Sequence, residues 1–301
     1  VLASLARLLD PDTAKKIWPS SEISLANGPP SRTCESIQTD DGYQLTGSWN
    51  FSSGIAHADW LIGTAKTAMK DGDQTPMMHL LPKSAALIQK TWDVVGLRQT
   101  GSYEFSTEAL LVPKHLTFAY QIKEGEFPLY QIPLNLLFAG GFAAVALGTS
   151  RAAIDHAIER CRLKIKRFAK TTMQQDSATQ DIIGHVEANW RAAKSYLVST
   201  VEETWLAIIE QGSCPKDSKY QLRLASTHAI RQAKIATDMV YHLCGTDSIH
   251  QSEPIHRCFQ DVPDSALATK IRKWDETRGD IAKTMPQKNL SLIHISEPTR
   301  R

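Results

Sequence analysis

The hydrophobic repeat of this chain changes once, near Leu134, and that change limits the folds open to it. Upstream, Tyr43, Leu45, Trp49 and Phe51 alternate with small or polar residues, the period of a strand with one buried face. Asp41-Gly42 before this run and Ser52-Ser53-Gly54 after it carry turn chemistry. Further strand signals fall at residues 60–65, 77–81, 88–94 and 103–112, broken by Asp71-Gly72-Asp73, Pro82 and Gly101. Short runs interrupted this way predict a compact antiparallel barrel or sandwich. Downstream, residues 134–168 read as a long helix rich in small side chains. Residues 179–209 place Val186, Trp190, Ala193, Leu197, Val201 and Ile208 on one helical stripe. Residues 218–243 place Leu224, His228, Ile235, Met239 and His242 on another, with Gly245 as the stop. A fourth helical stretch covers 265–282, so the second half reads as an antiparallel four-helix bundle and the whole as α+β.

The ends differ from this pattern. Leu2, Ala3, Leu5, Ala6, Leu8 and Leu9 read as a helix closed by Asp10-Pro11, followed by a helical turn ending at Trp18-Pro19. Residues 20–36 are loop-like around Asn27-Gly28-Pro29-Pro30. Hydrophobic residues at 42% and charged residues at 22% are those of a soluble globular chain. A net charge of +2 gives no argument for a nucleic-acid or membrane partner. The apolar run at 134–147 contains Asn135 and Gly140-Gly141, stops by Arg151, and is too short to span a bilayer. No secretory signal is seen at the start, and the five scattered cysteines suit reduced thiols in a cytoplasmic setting. His242-x-Cys244 and His250, His256, Cys258 do not have zinc spacing, so no metal site is expected. Arg160, Arg162, Lys164, Lys166, Arg167 and Lys170 gather at a helix end, as solvated charge favourable to the helix dipole or as a contact for a phosphate or neighbouring chain.

Two ordered motifs sharpen the reading. The first is Trp49-x-Phe51-x-Ser53-Gly54-x-x-His57-Ala58-Asp59-Trp60. The second is Trp92-x-x-x-Gly96-Leu97-Arg98-Gln99-Thr100-Gly101-Ser102, followed by Val112-Pro113-x-His115. Together they resemble the acyl-CoA dehydrogenase superfamily over roughly residues 1–285. The closer branch is the oxygenase components of two-component flavin monooxygenases, such as those acting on 4-hydroxyphenylacetate, secosteroid phenols or dibenzothiophene. The resemblance implies an acyl-CoA dehydrogenase-like fold in which residues 23–126 form a middle antiparallel β-barrel or sandwich that contacts flavin. Residues 127–288 would form the C-terminal four-helix bundle. Residues 1–22 would be the remnant of an N-terminal helical domain mostly missing from an N-terminally truncated fragment. Residues 289–301 are similar to the read-through of a sequencing adapter and are set aside as an artefactual tail.

The same resemblance implies a monooxygenase that takes reduced FMN or FAD from a separate flavin reductase and hydroxylates a small aromatic or heteroaromatic substrate with O2. It also implies a cytoplasmic homotetramer assembled through the bundle. Trp49 and Phe51 would form an aromatic wall beside the flavin ring, with the indole N–H as a donor. Ser52, Ser53 and their backbone amides would bond the ring's polar edge, and Arg98 would meet the flavin tail, a partner subunit or its own loop. Asn27 and Gly28 occupy a loop where hydroxylases tend to carry a substrate-side serine. His57 matches a family position but precedes Ala58-Asp59-Trp60, a turn-bracing setting, while His228 and His242 lie on the apolar stripe as core or substrate-facing histidines.

Departures from the family pattern leave the catalytic acid or base unassigned. Pro254-Ile255-His256-Arg257-Cys258-Phe259-Gln260-Asp261-Val262 looks like the family's P-[IL]-x-R-x-x-R-D-V segment, with Gln260 in place of an arginine. The continuation, 263–268, has no histidine, where the monooxygenase branch usually carries one or two. The dehydrogenase glutamate is not found either, because Glu276 lies at the wrong distance from Asp261. An acyl-thioester dehydrogenase and a degenerate flavin-binding scaffold are the alternatives.

Overall fold

In the computed structural model, residues 2–20, 22–122 and 127–262 are described, and the change of period at Leu134 is where sheet gives way to helix. The fourth helical stretch expected at 265–282 and the tail at 289–301 lie outside the described residues. Eight strands precede the change: β1 Leu25–Asn27, β2 Glu35–Gln38, β3 Gly42–Ser52, β4 Trp60–Ala68, β5 Gln74–Pro82, β6 Leu87–Gln89, β7 Tyr103–Pro113 and β8 Thr117–Phe118. They make one sheet in the order β6-β7-β3-β2-β4-β5-β8, with β1 also paired to β4. The expected antiparallel pairing holds along β3–β7, β4–β5 and β6–β7, whereas β1 and β2 both run parallel to β4. Those two strands of three and four residues fall in or beside the stretch read as loop, too short to impose a period of their own. β6 stops at Gln89, so the strand expected over 88–94 is mostly a turn-forming loop.

The sheet wraps one core. Leu45 and Trp49 of β3, Leu61 and Ala65 of β4, Leu81 of β5, and Phe105 and Val112 of β7 meet in a single buried cluster. The Trp49 ring stacks on Phe105 at 4.9 Å between centroids and 17° between planes. Its indole N–H donates to the Thr64 carbonyl at 2.9 Å, so the polar end is satisfied inside the core. Gly63 leaves room for it: a Cβ there would lie 3.0 Å from Trp49 Cζ2. On the opposite face, Ile62, Leu80 and Phe118 pack against Leu5 and Ile17. These last two come from a 3-10 turn (Leu2–Leu8) and from α1 (Pro11–Ile17), whose N-cap Asp10 accepts from the Thr13 N–H at 2.9 Å. With both faces covered, β4 carries apolar residues at successive positions rather than in strict alternation.

Helices α2 (Leu134–Leu163), α3 (Ser177–Gln211), α4 (Lys216–Cys244) and α5 (Pro254–Asp261) follow. Ala153, Ile154 and Ala157 of α2, Val186 of α3, Ala236 and Val240 of α4, and Ile255 and Cys258 of α5 share one core. The α3 stripe is buried at Val186, Ala193, Leu197 and Ile208, but Val201 is exposed. On α4 the buried face is Ala225, Ala229, Ile230, Ala233, Ala236 and Val240, not the expected Leu224, His228, Ile235, Met239, His242 face. Small residues let α4 approach α2 closely, and that contact outweighs the larger side chains on the other side. By length and composition α2 suffices to cross a membrane, because it continues well past the apolar run read from the sequence. Its alanine-rich face is packed within the bundle.

Ion pairs fasten α5 and its lead-in to the end of α2. Arg160 bonds Asp247 at 2.6 Å and Glu253 at 3.0 Å, and Lys164 bonds Asp247 at 2.8 Å. Hydrogen bonding from Lys164 and then Arg160 lowers the Asp247 carboxyl to about 2. Lys166 pairs with Asp176 and Arg162 with Glu159, so most of the basic run is engaged locally.

Candidate active site

Trp49 and Phe51 are two positions apart on β3, and strict alternation puts both rings on one face. The structure separates them. The β3–β7 register shifts between Trp49 and Ser52, and Phe51 adopts a left-handed backbone with φ 51°. A non-glycine residue there costs about 1–2 kcal/mol, and the consequence is geometric. Trp49 is fully buried with its N–H committed to Thr64, while the Phe51 ring is 53% exposed. The expected pair of aromatic walls is therefore corrected: Trp49 belongs to the core, and Phe51 alone presents its ring. The Trp92 ring meets Phe51 edge-on at 5.7 Å. Ser52 is also turned inward, its hydroxyl donating to the Trp49 carbonyl at 3.3 Å. The Ser53 N–H bonds the Phe51 carbonyl at 2.9 Å, so this amide is not a free donor for a ligand. Ser53 itself is an exposed residue.

The second motif closes against this bulge. Leu97, also left-handed at φ 53°, accepts at its carbonyl from Trp92 Nε1 at 3.0 Å and from Thr100 Oγ1 at 2.8 Å. The Leu97 N–H donates to Asp261 Oδ1 at 2.7 Å. Gly96 admits the end of α5, since a Cβ there would lie 1.6 Å from the Gln260 carbonyl oxygen. The Gly54 N–H donates to the Thr100 carbonyl at 2.8 Å. Ser53 Oγ lies 2.8 Å from Ser102 Oγ, which lies 2.7 Å from Thr100 Oγ1. Three segments far apart in the chain thus meet at one open face, bearing an aromatic ring, an indole edge and a hydroxyl chain. Ser102, Thr100, Trp92 and Asp261 lay inside the quoted motifs, but the sequence assigned none of them a role.

Comparison with known proteins agrees with this assembly. The family model for the acyl-CoA dehydrogenase C-terminal domain matches residues 140–266. An indole-3-acetate monooxygenase from Pseudomonas putida is 30% identical over 224 residues, covering 73% of this chain and 57% of its own length. A pigment production hydroxylase from Rhodococcus erythropolis is 29% identical over 269 residues, covering 84% of this chain and 68% of its own. XiaF from a Streptomyces species, solved with FADH2 and glycerol, superposes with a TM-score of 0.80 at 25% identity, covering 89% of this chain and 70% of that one.

The chain belongs to the acyl-CoA dehydrogenase superfamily.

The expected order of that fold, a β-sheet domain followed by helices, is the order found. The chain spans 57% and 68% of the lengths of the two curated relatives just named. An acyl-CoA dehydrogenase from Geobacillus kaustophilus shares the fold at a TM-score of 0.75 and 14% identity.

Within this superfamily member the other expected site residues fall in different places. Gly28 lies against the end of β3, where a Cβ would be 2.1 Å from the Asn50 carbonyl oxygen and 2.6 Å from Ser52 Oγ. Asn27 is half-buried in β1, paired with Ile62. Arg98 is exposed at the start of a 3-10 turn, its carbonyl accepting from the Gly101 N–H and its guanidinium with no hydrogen bond or ion pair among the described residues. His57 is exposed and closes a 3-10 turn, its backbone carbonyl accepting from Ser24 Oγ at 2.6 Å. His228 is half-buried with its ring against Tyr196 at 5.8 Å, and His242 is exposed beside Asp238 at 3.7 Å. None of these histidines has a hydrogen bond or ring contact with Phe51, Ser53, Trp92 or Ser102 among the described residues.

Among the described residues no group of His, Cys, Asp and Glu could hold a metal ion. An open groove on α2 and α3, lined by Arg151, Glu187, Trp190 and Lys194, shares no residue with the junction. His79, unremarked in the sequence, is fully buried between Thr67 and Thr117. Burial lowers its pKa to about 4, so it stays neutral.

The junction fits a planar, hydrogen-bonding ring system. Phe51 offers an exposed apolar face and Ser53, also exposed, a hydroxyl beside Ser102, while Arg98 is an exposed cation in the 3-10 turn that leads to Thr100 and Ser102.

Proposed function

We propose that this chain acts as the oxygenase component of a two-component flavin-dependent monooxygenase, using reduced FMN or FAD supplied by a separate flavin reductase. The substrate class is a small aromatic or heteroaromatic ring. One observation carries the reading: the backbone of β3 is forced left-handed at Phe51, which aims an aromatic ring outward beside the Ser53 hydroxyl. A strand built only for packing would keep that ring with Trp49 inside the core.

Phe51 would hold the flavin ring by stacking, Ser53 would bond its polar edge, and Arg98 would meet its phosphate tail. When bound, the flavin supplies oxygen activation and transfer; the protein binds, orients and excludes water. The names of related proteins support the substrate class. One is a FADH(2)-dependent resorcinol hydroxylase from a Rhizobium species, 26% identical over 292 residues, and TdsC from Paenibacillus was solved with FMN and indole. Exposed Phe142 and Val145 on α2, with Val198, Val201, Leu206 and Ile209 on α3, would form contacts in a homotetramer.

The test is turnover. Reduced flavin delivered by a separate reductase, with oxygen and an indole or phenol, should yield an oxygenated product, and Phe51→Ala should abolish it. Bleaching of bound oxidised flavin by an acyl thioester, with no oxygenated product, would overturn the proposal in favour of a dehydrogenase.

A further inference from the structure

We propose that Asp261, carried by α5, is a positioning residue for the open face beside Phe51 and Ser53. Its carboxylate holds Leu97 in a left-handed turn, and the Leu97 carbonyl in turn sets Trp92 and Thr100. What that face binds rests on the flavin reading above; the coupling itself rests on geometry alone.

The strain is at Leu97, with φ 53° and ψ 29°. A residue with a Cβ keeps that conformation only where its surroundings stabilise it. Glycine takes it freely, and the same loop uses Gly101 for it at φ 50°. At Leu97 the stabilising partner is distant: its N–H donates to Asp261 Oδ1 at 2.7 Å, across 164 residues of sequence. A hydrogen bond to a carboxylate is stronger than one to a neutral acceptor, and this one is part-buried.

The turn has consequences on both sides of the face. The backbone rotation at Leu97 fixes the direction of its carbonyl, and that oxygen accepts from Trp92 Nε1 at 3.0 Å and Thr100 Oγ1 at 2.8 Å. Trp92 meets the Phe51 ring edge-on at 5.7 Å. Thr100 Oγ1 lies 2.7 Å from Ser102 Oγ, which lies 2.8 Å from Ser53 Oγ. One carboxylate thus governs the aromatic side and the hydroxyl side through a single residue.

Asp261 is itself fixed from the bundle. Ile255 and Cys258 anchor α5 in the helical core, and Arg160 of α2 bonds Glu253 at the N-cap of α5 at 3.0 Å. Gly96 lets the Gln260 carbonyl close on the turn, where a Cβ would lie 1.6 Å from its oxygen. The face therefore takes its shape from the docking of α5 on the sheet.

Hydrogen exchange and flavin titration of the full-length chain test this, each read beside thermal unfolding. In Asp261→Ala the amides at 97–102 should exchange faster, by about tenfold or more for one charge-assisted bond lost. Flavin affinity, measured far below the unfolding midpoint, should fall by a similar factor. Leu97→Gly added to Asp261→Ala should recover most of that affinity, because glycine keeps the left-handed turn without the carboxylate. Asp261→Asn, which keeps an acceptor of the same reach, should lie between Asp261→Ala and the unsubstituted protein, and it carries the test if Asp261→Ala does not fold. A merely structural Asp261 would lower the midpoint and leave affinity and local exchange unchanged, and that result overturns the proposal. A double variant that binds no better than Asp261→Ala also overturns it. If the unsubstituted protein binds no flavin, the flavin reading fails alone: faster exchange at 97–102 still upholds the coupling, and unchanged exchange still overturns it.

Discussion

In the sheet, the fully buried positions include Leu45, Trp49, Leu61 and Phe105, and the interior is filled by large side chains meeting across a curled surface. In the helical half, the positions with no exposure include Ala143, Ala153, Ala157, Ala193, Ala225, Ala229 and Ala233. One region closes by filling space and the other by bringing backbones together. The two should therefore respond oppositely to changes in side-chain size. The candidate site sits where these regimes meet: its ring and hydroxyl come from the sheet side, and Asp261 arrives from α5.

The largest expected effect is on the filling side. Trp49→Ala should destabilise the protein by about 3–5 kcal/mol, measured by urea denaturation, from lost burial plus the cavity left against Phe105. A cost under ~1 kcal/mol would mean that the core is not built around this ring, and the contrast fails.

Acid should reveal a second cost in the sheet. An unfolded histidine takes up its proton below pH 6.5, whereas folded His79 stays neutral down to about 4. The unfolded state thus binds more protons in that window, and stability falls as pH drops through it, by roughly 3 kcal/mol in total. Above pH 6.5 His79 is neutral in both states and contributes no pH dependence. His79→Gln should flatten the decline between pH 6.5 and 4; an unaltered slope would assign it to other groups.

The helical half should resist enlargement rather than truncation. Ala153→Leu should cost about 1–3 kcal/mol by forcing α2 away from α4 and α5. A neutral result would show slack in a contact that otherwise rests on small residues. Phe51→Ala should change stability least, by under about 1 kcal/mol, since the ring is exposed and the left-handed backbone remains. Its flavin affinity should nevertheless be lost in direct titration. Retained affinity would leave the outward ring without a purpose.

Much of the fold was legible because its signals are local. The period of two up to residue 113 and of about 3.6 after Leu134 are written in neighbouring side chains, and the architecture follows from them. Legibility stopped wherever a large residue carried the pattern but a small one carried the packing. The α4 face was misread for that reason, since alanines give weak signals and Leu224, Ile235 and Met239 give strong ones. β1 and β2 were missed because strands this short are held by their pairing to β4. At the site, alternation placed Trp49 and Phe51 together, and nothing in Asn50-Phe51-Ser52 announces a positive φ, which Gly or Asn would have suggested.

By itself the sequence determined where sheet ends and helix begins, which motifs would matter, and that the chain resembles one flavoprotein superfamily. Tertiary structure alone decided that Phe51 faces out while Trp49 faces in, and that Leu97 is held by a carboxylate far along the chain. The reason is physical. Periodicity reports what each residue prefers beside its neighbours, whereas a bulge, a part-buried carboxylate contact or a linked row of hydroxyls exists only when distant segments close on one another and their polar groups must be satisfied.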